Sequence, residues 1–140
     1  MINFLQTGSN LLLILNDNFS LIDYNIGYSN FKLKKYEDAI NSFQKFLKNK
    51  TIENQVKEDA IIRLGDCYFA TRNYTDAIKS YKTIVNNLGS GADYAQYQIG
   101  MSYGFKNLNN EKINALTKVV NGYNNSNLKD DALYQLANTF

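Results

Sequence analysis

Cys67 is the sole thiol of a 140-residue chain that contains no histidine and no proline. A cysteine nucleophile needs a lowered pKa or an adjacent base, and the commonest general base and metal ligand are both missing here. Cys67 therefore reads as an inert packing or surface thiol. Alone, it cannot close an intramolecular disulfide, so it leaves the redox compartment open. Adjacent carboxylates occur in KEDA from Lys57 and in KDDA from Lys129. Paired acids can divide acid and base roles. Glu58, Asp93 and Asp130, however, stand where helices are expected to open, and the free amides and dipole of a helix start favour negative charge without any chemistry. Gly89-Ser90-Gly91 also precedes an expected helix, where anions bind, but it lacks the Lys and Ser/Thr of a phosphate loop and reads as a turn. Lys32, Lys34, Lys35, Lys45 and Lys48 make one end basic. That reads as a solvated turn, with weak contact to an acidic partner as the alternative. No catalytic residue, metal site or cofactor site emerges, and the expectation is that the chain is not an enzyme.

What must be positioned is therefore a surface. A chain of this length forms one domain that buries about two-thirds of its unfolded area. Its 15 basic and 13 acidic residues leave a net charge of +2, too small a field to suggest nucleic acid or an anionic membrane. The apolar run from Leu11 to Leu15 is too short to span a bilayer and lacks the flanks of a signal peptide.

Two stretches, YEDAINSFQKFL from Tyr36 and YTDAIKSYKTIV from Tyr74, agree at Tyr, Asp, Ala, Ile and Ser, 38 residues apart. Gly27, Gly65 and Gly100 follow one another at intervals of 38 and 35, Ala137 comes 37 later, and an apolar residue precedes each. KEDAIIRLGDCYF from Lys57 returns as KDDALYQLANTF from Lys129, 72 residues on. Periodicity of this kind marks stacked supersecondary units.

Within each unit both segments are helical in pattern. Tyr36, Ala39, Ile40, Phe43 and Leu47 fall at i, i+3, i+4, i+7 and i+11, and Tyr74, Ala77, Ile78, Tyr81 and Val85 repeat the stripe. Helices are expected at about 20–32, 36–48, 56–70, 74–88, 92–106, 109–122 and from about 128. Short polar breaks such as TRN before Tyr74 suit antiparallel pairs. A helical glycine costs about 0.5–1 kcal/mol against alanine, so three at one register imply close approach; Gly27 and Gly65 are expected to face Ala39 and Ala77.

These residues resemble the tetratricopeptide repeat family, helix-turn-helix units of about 34 residues. Leu64, Gly65, Tyr68, Ala77 and Tyr81 match best. Unit one supplies Ile26, Gly27, Ala39 and Phe43, with Asn30 where the family has Tyr. Unit three keeps Ile99, Gly100 and Tyr103 but carries Lys112 at the Ala position and Leu116 at the aromatic one, so its second helix is expected to pack differently. Thr51, Gly89 and Asn124 stand where a closing proline is common. The resemblance implies an all-α fold, a right-handed superhelical α-solenoid of antiparallel helix pairs. Residues 20–54, 55–91 and 92–126 would be units one to three, 127–140 the first helix of a fourth, and 1–19 the end of a preceding repeat. The array would be a piece of a longer protein. Intervals of 35–38 are similar to those of bacterial cell-envelope members.

The resemblance further implies a scaffold whose ligand, a peptide or protein segment, lies in a concave groove lined by the first helices. Carried over, the lining is Tyr24, Tyr28, Phe31 and Lys32, then Ile62, Asp66 and Phe69, then Tyr97, Met101 and Phe105, and finally Tyr134 and Asn138. Each first helix is apolar on a second face, which either recognises a partner or packs against neighbouring units. Uncapped terminal helices would also permit self-association. The alternatives are spacer repeats in a larger envelope assembly, or a regulatory part of an enzyme whose catalytic domain lies elsewhere.

Overall fold

Amphipathic segments separated by breaks of a few residues can bury their stripes only against each other, and the computed structural model, which describes residues 4–50 and 53–140, shows that solution. Its helices are α1 Phe4–Lys32, α2 Tyr36–Leu47, α3 Asn54–Ala70, α4 Tyr74–Asn86, α5 Ala92–Phe105, α6 Asn109–Gly122 and α7 Lys129–Ala137. No strand occurs among the described residues. The expected helices are all present. One boundary differs most: α1 runs back to Phe4 without a break, so the residues expected to end an earlier hairpin continue into the first helix of unit one. Met1 to Asn3 and Thr51 lie outside the described residues.

Each helix packs on the next in order, and of the non-consecutive helices α1 also touches α3. That nearest-neighbour pattern defines an α-solenoid. α2 shows the local logic. Ala39, Ile40, Phe43 and Phe46 are buried on one face while Glu37, Asp38, Gln44 and Lys45 face water, and each buried Phe contributes about 1.5–3 kcal/mol. Three successive core clusters follow along the stack, around Phe43 and Leu64, around Tyr81 and Ile99, and around Leu116 and Ala132.

The turns within units repeat as faithfully as the helices. Lys34, Arg72 and Asn107, each seven residues beyond its glycine, are left-handed, with φ of 59°, 63° and 58°. Each allows the following amide to reach back five residues, as in Asn73 N to Tyr68 O at 2.8 Å and Leu108 N to Tyr103 O at 3.0 Å. This closure satisfies helix-end carbonyls and reverses the chain.

The glycines permit close approach, but not to the expected alanines. A Cβ on Gly27 would stand 2.9 Å from the Phe43 ring, one on Gly65 2.7 Å from Tyr81, and one on Gly100 2.6 Å from Leu116. The partner lies one turn beyond the alanine because a helical side chain leans toward the start of its own helix, covering the turn before its Cα. Unit three shows the same geometry with Leu116 in place of the aromatic, so its departure is local. Lys112 lays its stem against Gly104, at the register of Phe31 and Phe69, and its Nζ donates to Gln135 Oε1 at 3.3 Å.

Each unit is also closed by a polar contact at fixed register, from the turn after its second helix back to its first. Asn49 Nδ2 donates to Ser20 Oγ, the Ser90 amide donates to Glu58 Oε2 at 3.0 Å, and Ser126 Oγ donates to Asp93 Oδ2 at 2.6 Å. Ser20, Glu58 and Asp93 each lie seven residues before their unit's glycine. Glu58 is thus not at a helix start as expected: α3 opens at Asn54 with no acid in its first turn, whereas Asp93 and Asp130 do sit in first turns. The Tyr three after the glycine also reaches the preceding second helix, Tyr68 accepting from Gln44 Nε2 at 2.8 Å and Tyr103 lying under Lys82 Nζ at 5.7 Å.

Candidate functional site

Asp59, Arg63 and Asp66 occupy i, i+4 and i+7 of α3 and therefore share one face. Arg63 Nη1 donates to Asp66 Oδ2 at 2.7 Å, and its Nε lies 3.5 Å from Asp59 Oδ1. The guanidinium also covers the Phe31 ring at 5.6 Å, a cation–π contact. Burial disfavours its charge, yet the flanking Asp66 and Asp59 raise the arginine pKa on balance.

The two carboxylates recruit tyrosines from other helices. Tyr24 of α1 donates to Asp59 Oδ2 at 2.6 Å, while Tyr81 of α4 and Tyr94 of α5 both donate to Asp66 Oδ1, at 2.7 and 2.8 Å. Gln98 Nε2 donates in turn to Tyr94 at 3.0 Å. One network thus crosses the first helices of all three units. Burial foremost, then the charge of Asp66, pushes Tyr81 and Tyr94 well above the ordinary tyrosine pKa; burial and the Asp59 hydrogen bond do the same for Tyr24. These hydroxyls stay protonated and act as fixed donors.

Beside the network a cavity of about 390 Å³ opens between α3 and the start of α5, lined by residues including Gln55, Asp59, Ile62, Arg63 and Tyr94. Its lining carries the charged Glu58, Asp59 and Arg63, and exposed aromatics lie elsewhere on the first helices. Tyr28, 37% exposed, stacks at 6.2 Å on Tyr24 and carries Lys32 Nζ 5.2 Å over its ring. Toward α5, Phe105 is 56% exposed and stacks on Tyr74 with centroids 5.2 Å apart, Phe69 meeting both edge-on.

The twelve expected groove residues divide by environment. Tyr28, Lys32, Phe105, Tyr134 and Asn138 are exposed. Tyr24, Phe31, Phe69, Tyr97 and Met101 are half-buried, Tyr97 against the cluster around Leu116. Ile62 belongs to the core, reaching the cavity from its wall. Asp66 has both oxygens occupied by groups of this chain. Asp59, Arg63 and Tyr94 were absent from the expected set. The acid-base-acid spacing on α3 was readable in the sequence, but the capture of Tyr94 depends on how α5 sits on α3.

Cys67 and the GSG glycines take structural places among the described residues. Cys67 is fully buried in the first core cluster, and burial, with Asp66 nearby, pushes its pKa up to about 12. No cluster of three or more His, Cys, Asp or Glu side chains suits a metal ion there. The glycines of GSG form an interunit turn in which Gly91 is left-handed at φ 82° and precedes α5. No described helix is long and apolar enough to cross a membrane.

Residues 23–49 and 59–87 match the tetratricopeptide repeat family. The chain is also similar to a putative sel1-like repeat-containing protein, L21, of Acanthamoeba polyphaga mimivirus, 32% identical over 89 residues. That alignment covers 63% of this chain but spans only 15% of the relative. Both matched segments coincide with helix pairs whose register the glycines set.

Proposed function

We propose, from the premise that this chain is a helical repeat protein of the tetratricopeptide type, that it captures an extended or helical protein segment across its first helices. Repeats of this type serve generally as non-catalytic scaffolds for protein–protein interaction; the particular surface is our reading. The observation that carries it is the exposure of aromatic faces on separate first helices, Tyr28 on α1 and Phe105 on α5, on a chain whose partly charged cavity opens beside α3 and the start of α5. Aromatic anchors bury much area at modest entropic cost, and fixed polar groups select orientation.

The Asp59–Arg63–Asp66 network supports the surface instead of binding directly. Its donors and acceptors are largely satisfied internally, so it preorganises the wall, which lowers the ordering cost of association. A random peptide display library panned on the 140-residue chain tests the reading, with affinities of enriched peptides measured by fluorescence anisotropy. Tyr28→Ala with Phe105→Ala is expected to weaken binding tenfold or more, while helical content and melting stay close to the parent. Enriched peptides that bind the double variant unchanged would place recognition elsewhere, and a library that yields none would favour the spacer alternative.

A further inference from the structure

In this stack each first helix turns its back to the second helix before it. Ala60 and Leu64 of α3 are buried where α2 packs, and Ala95 and Ile99 of α5 where α4 packs. At the same register α1 carries Ile22 and Ile26, one turn after Phe19. These three are 51%, 46% and 65% exposed.

The exposed stripe has its own geometry. Leu12, Leu15, Phe19, Ile22 and Ile26 follow one another at alternating intervals of three and four, and Leu33 continues the series beyond Ser29. Such 3.5-residue spacing is the seam of helices packed knobs into holes. The opposite side of α1, with Leu21, Tyr24 and Phe31, packs on the core, so the seam faces directly away from the repeats.

Length and charge select the occupant. The stripe from Leu12 to Leu33 extends ~32 Å, whereas a second helix of this array would cover only ~18–21 Å, since α2, α4 and α6 have 12, 13 and 14 residues. Among the described helices α1 alone, with 29 residues, is long enough. Its flanks favour its own kind: Leu11, Asn18 and Asn25 are uncharged and Asp23 is held by Lys45 at 3.1 Å, so two copies meet without like-charge repulsion. Lys32, Lys34 and Lys35 gather at one end, and antiparallel pairing keeps the two basic ends apart.

We propose that α1 pairs along this stripe with α1 of a second copy, antiparallel, giving a symmetric dimer that leaves the groove face open. Sedimentation velocity at micromolar concentration should give twice the 16.0 kDa chain mass. Phe19→Glu with Ile22→Glu should raise the dimer dissociation constant about a hundredfold with unchanged circular dichroism. Leu133→Glu on α7 should leave the dimer intact. A nitroxide on Lys32→Cys should report a separation of ~30 Å across the dimer. A monomeric parent, a dimer that survives the double variant, a dimer lost to Leu133→Glu, or labels lying side by side would each overturn the proposal.

Discussion

At the scale of single residues, Asp66 shows how a polar group expected to meet a ligand can be consumed by the fold. Tyr81, Tyr94 and Arg63 all donate to it, and charge-assisted hydrogen bonds of this kind are worth about 1.5–3 kcal/mol each. The tyrosines also set a pH limit. In the unfolded chain they ionise near 10, whereas burial and the carboxylates raise them in the folded state. The native protein then holds protons that the unfolded chain releases, so their stabilising contribution is whole below about pH 10 and declines as pH rises further. Urea melts across that range should show the midpoint falling above about pH 10, less steeply in Tyr81→Phe and Tyr94→Phe; a midpoint that is flat to pH 11 would contradict this assignment. The polar face of α3 was readable at Asp59, Arg63 and Asp66 but not in its outcome, because nothing local in the sequence says that a tyrosine 28 residues later will reach Asp66.

At the scale of helices, the decisive contact is glycine against a bulky side chain on the partner. In Gly65→Ala the new Cβ would sit 2.7 Å from a Tyr81 ring with no exposed surface. Alanine gains up to about 1 kcal/mol of helix propensity, but overpacking costs about 1–3 kcal/mol. A net loss is expected by thermal denaturation, whereas Gly122→Ala, with nothing near its Cβ, should be neutral or stabilising. Equal effects at both positions would remove the packing account. Helix positions were legible because stripes, breaks and glycines all point one way. The extension of α1 was less plain, since the three-four spacing of Leu12, Leu15 and Phe19 is masked by the compact apolar run from Leu11 to Leu15. The facing residue was misjudged at Ala39 and Ala77 because sequence offset ignores the lean of side chains along the helix.

Across the whole molecule, stability is a chain of neighbouring interfaces. Among the described residues most contact is between consecutive helices, with first helices also meeting, α1 on α3 and α3 on α5 through Tyr94 and Asp66, so cooperativity is passed on unit by unit. Amide hydrogen exchange should grade along the stack, with strongest protection in α3 to α5, where the tyrosine network joins three helices, and weaker protection in α7. Uniform protection over the described helices would show a single cooperative block instead. The same linear arrangement has a mechanical side. Grasped at its two ends and drawn out, a body joined mainly link to link sheds length in separate steps, one hairpin per step, and the joint centred on Asp66 should be the last to part.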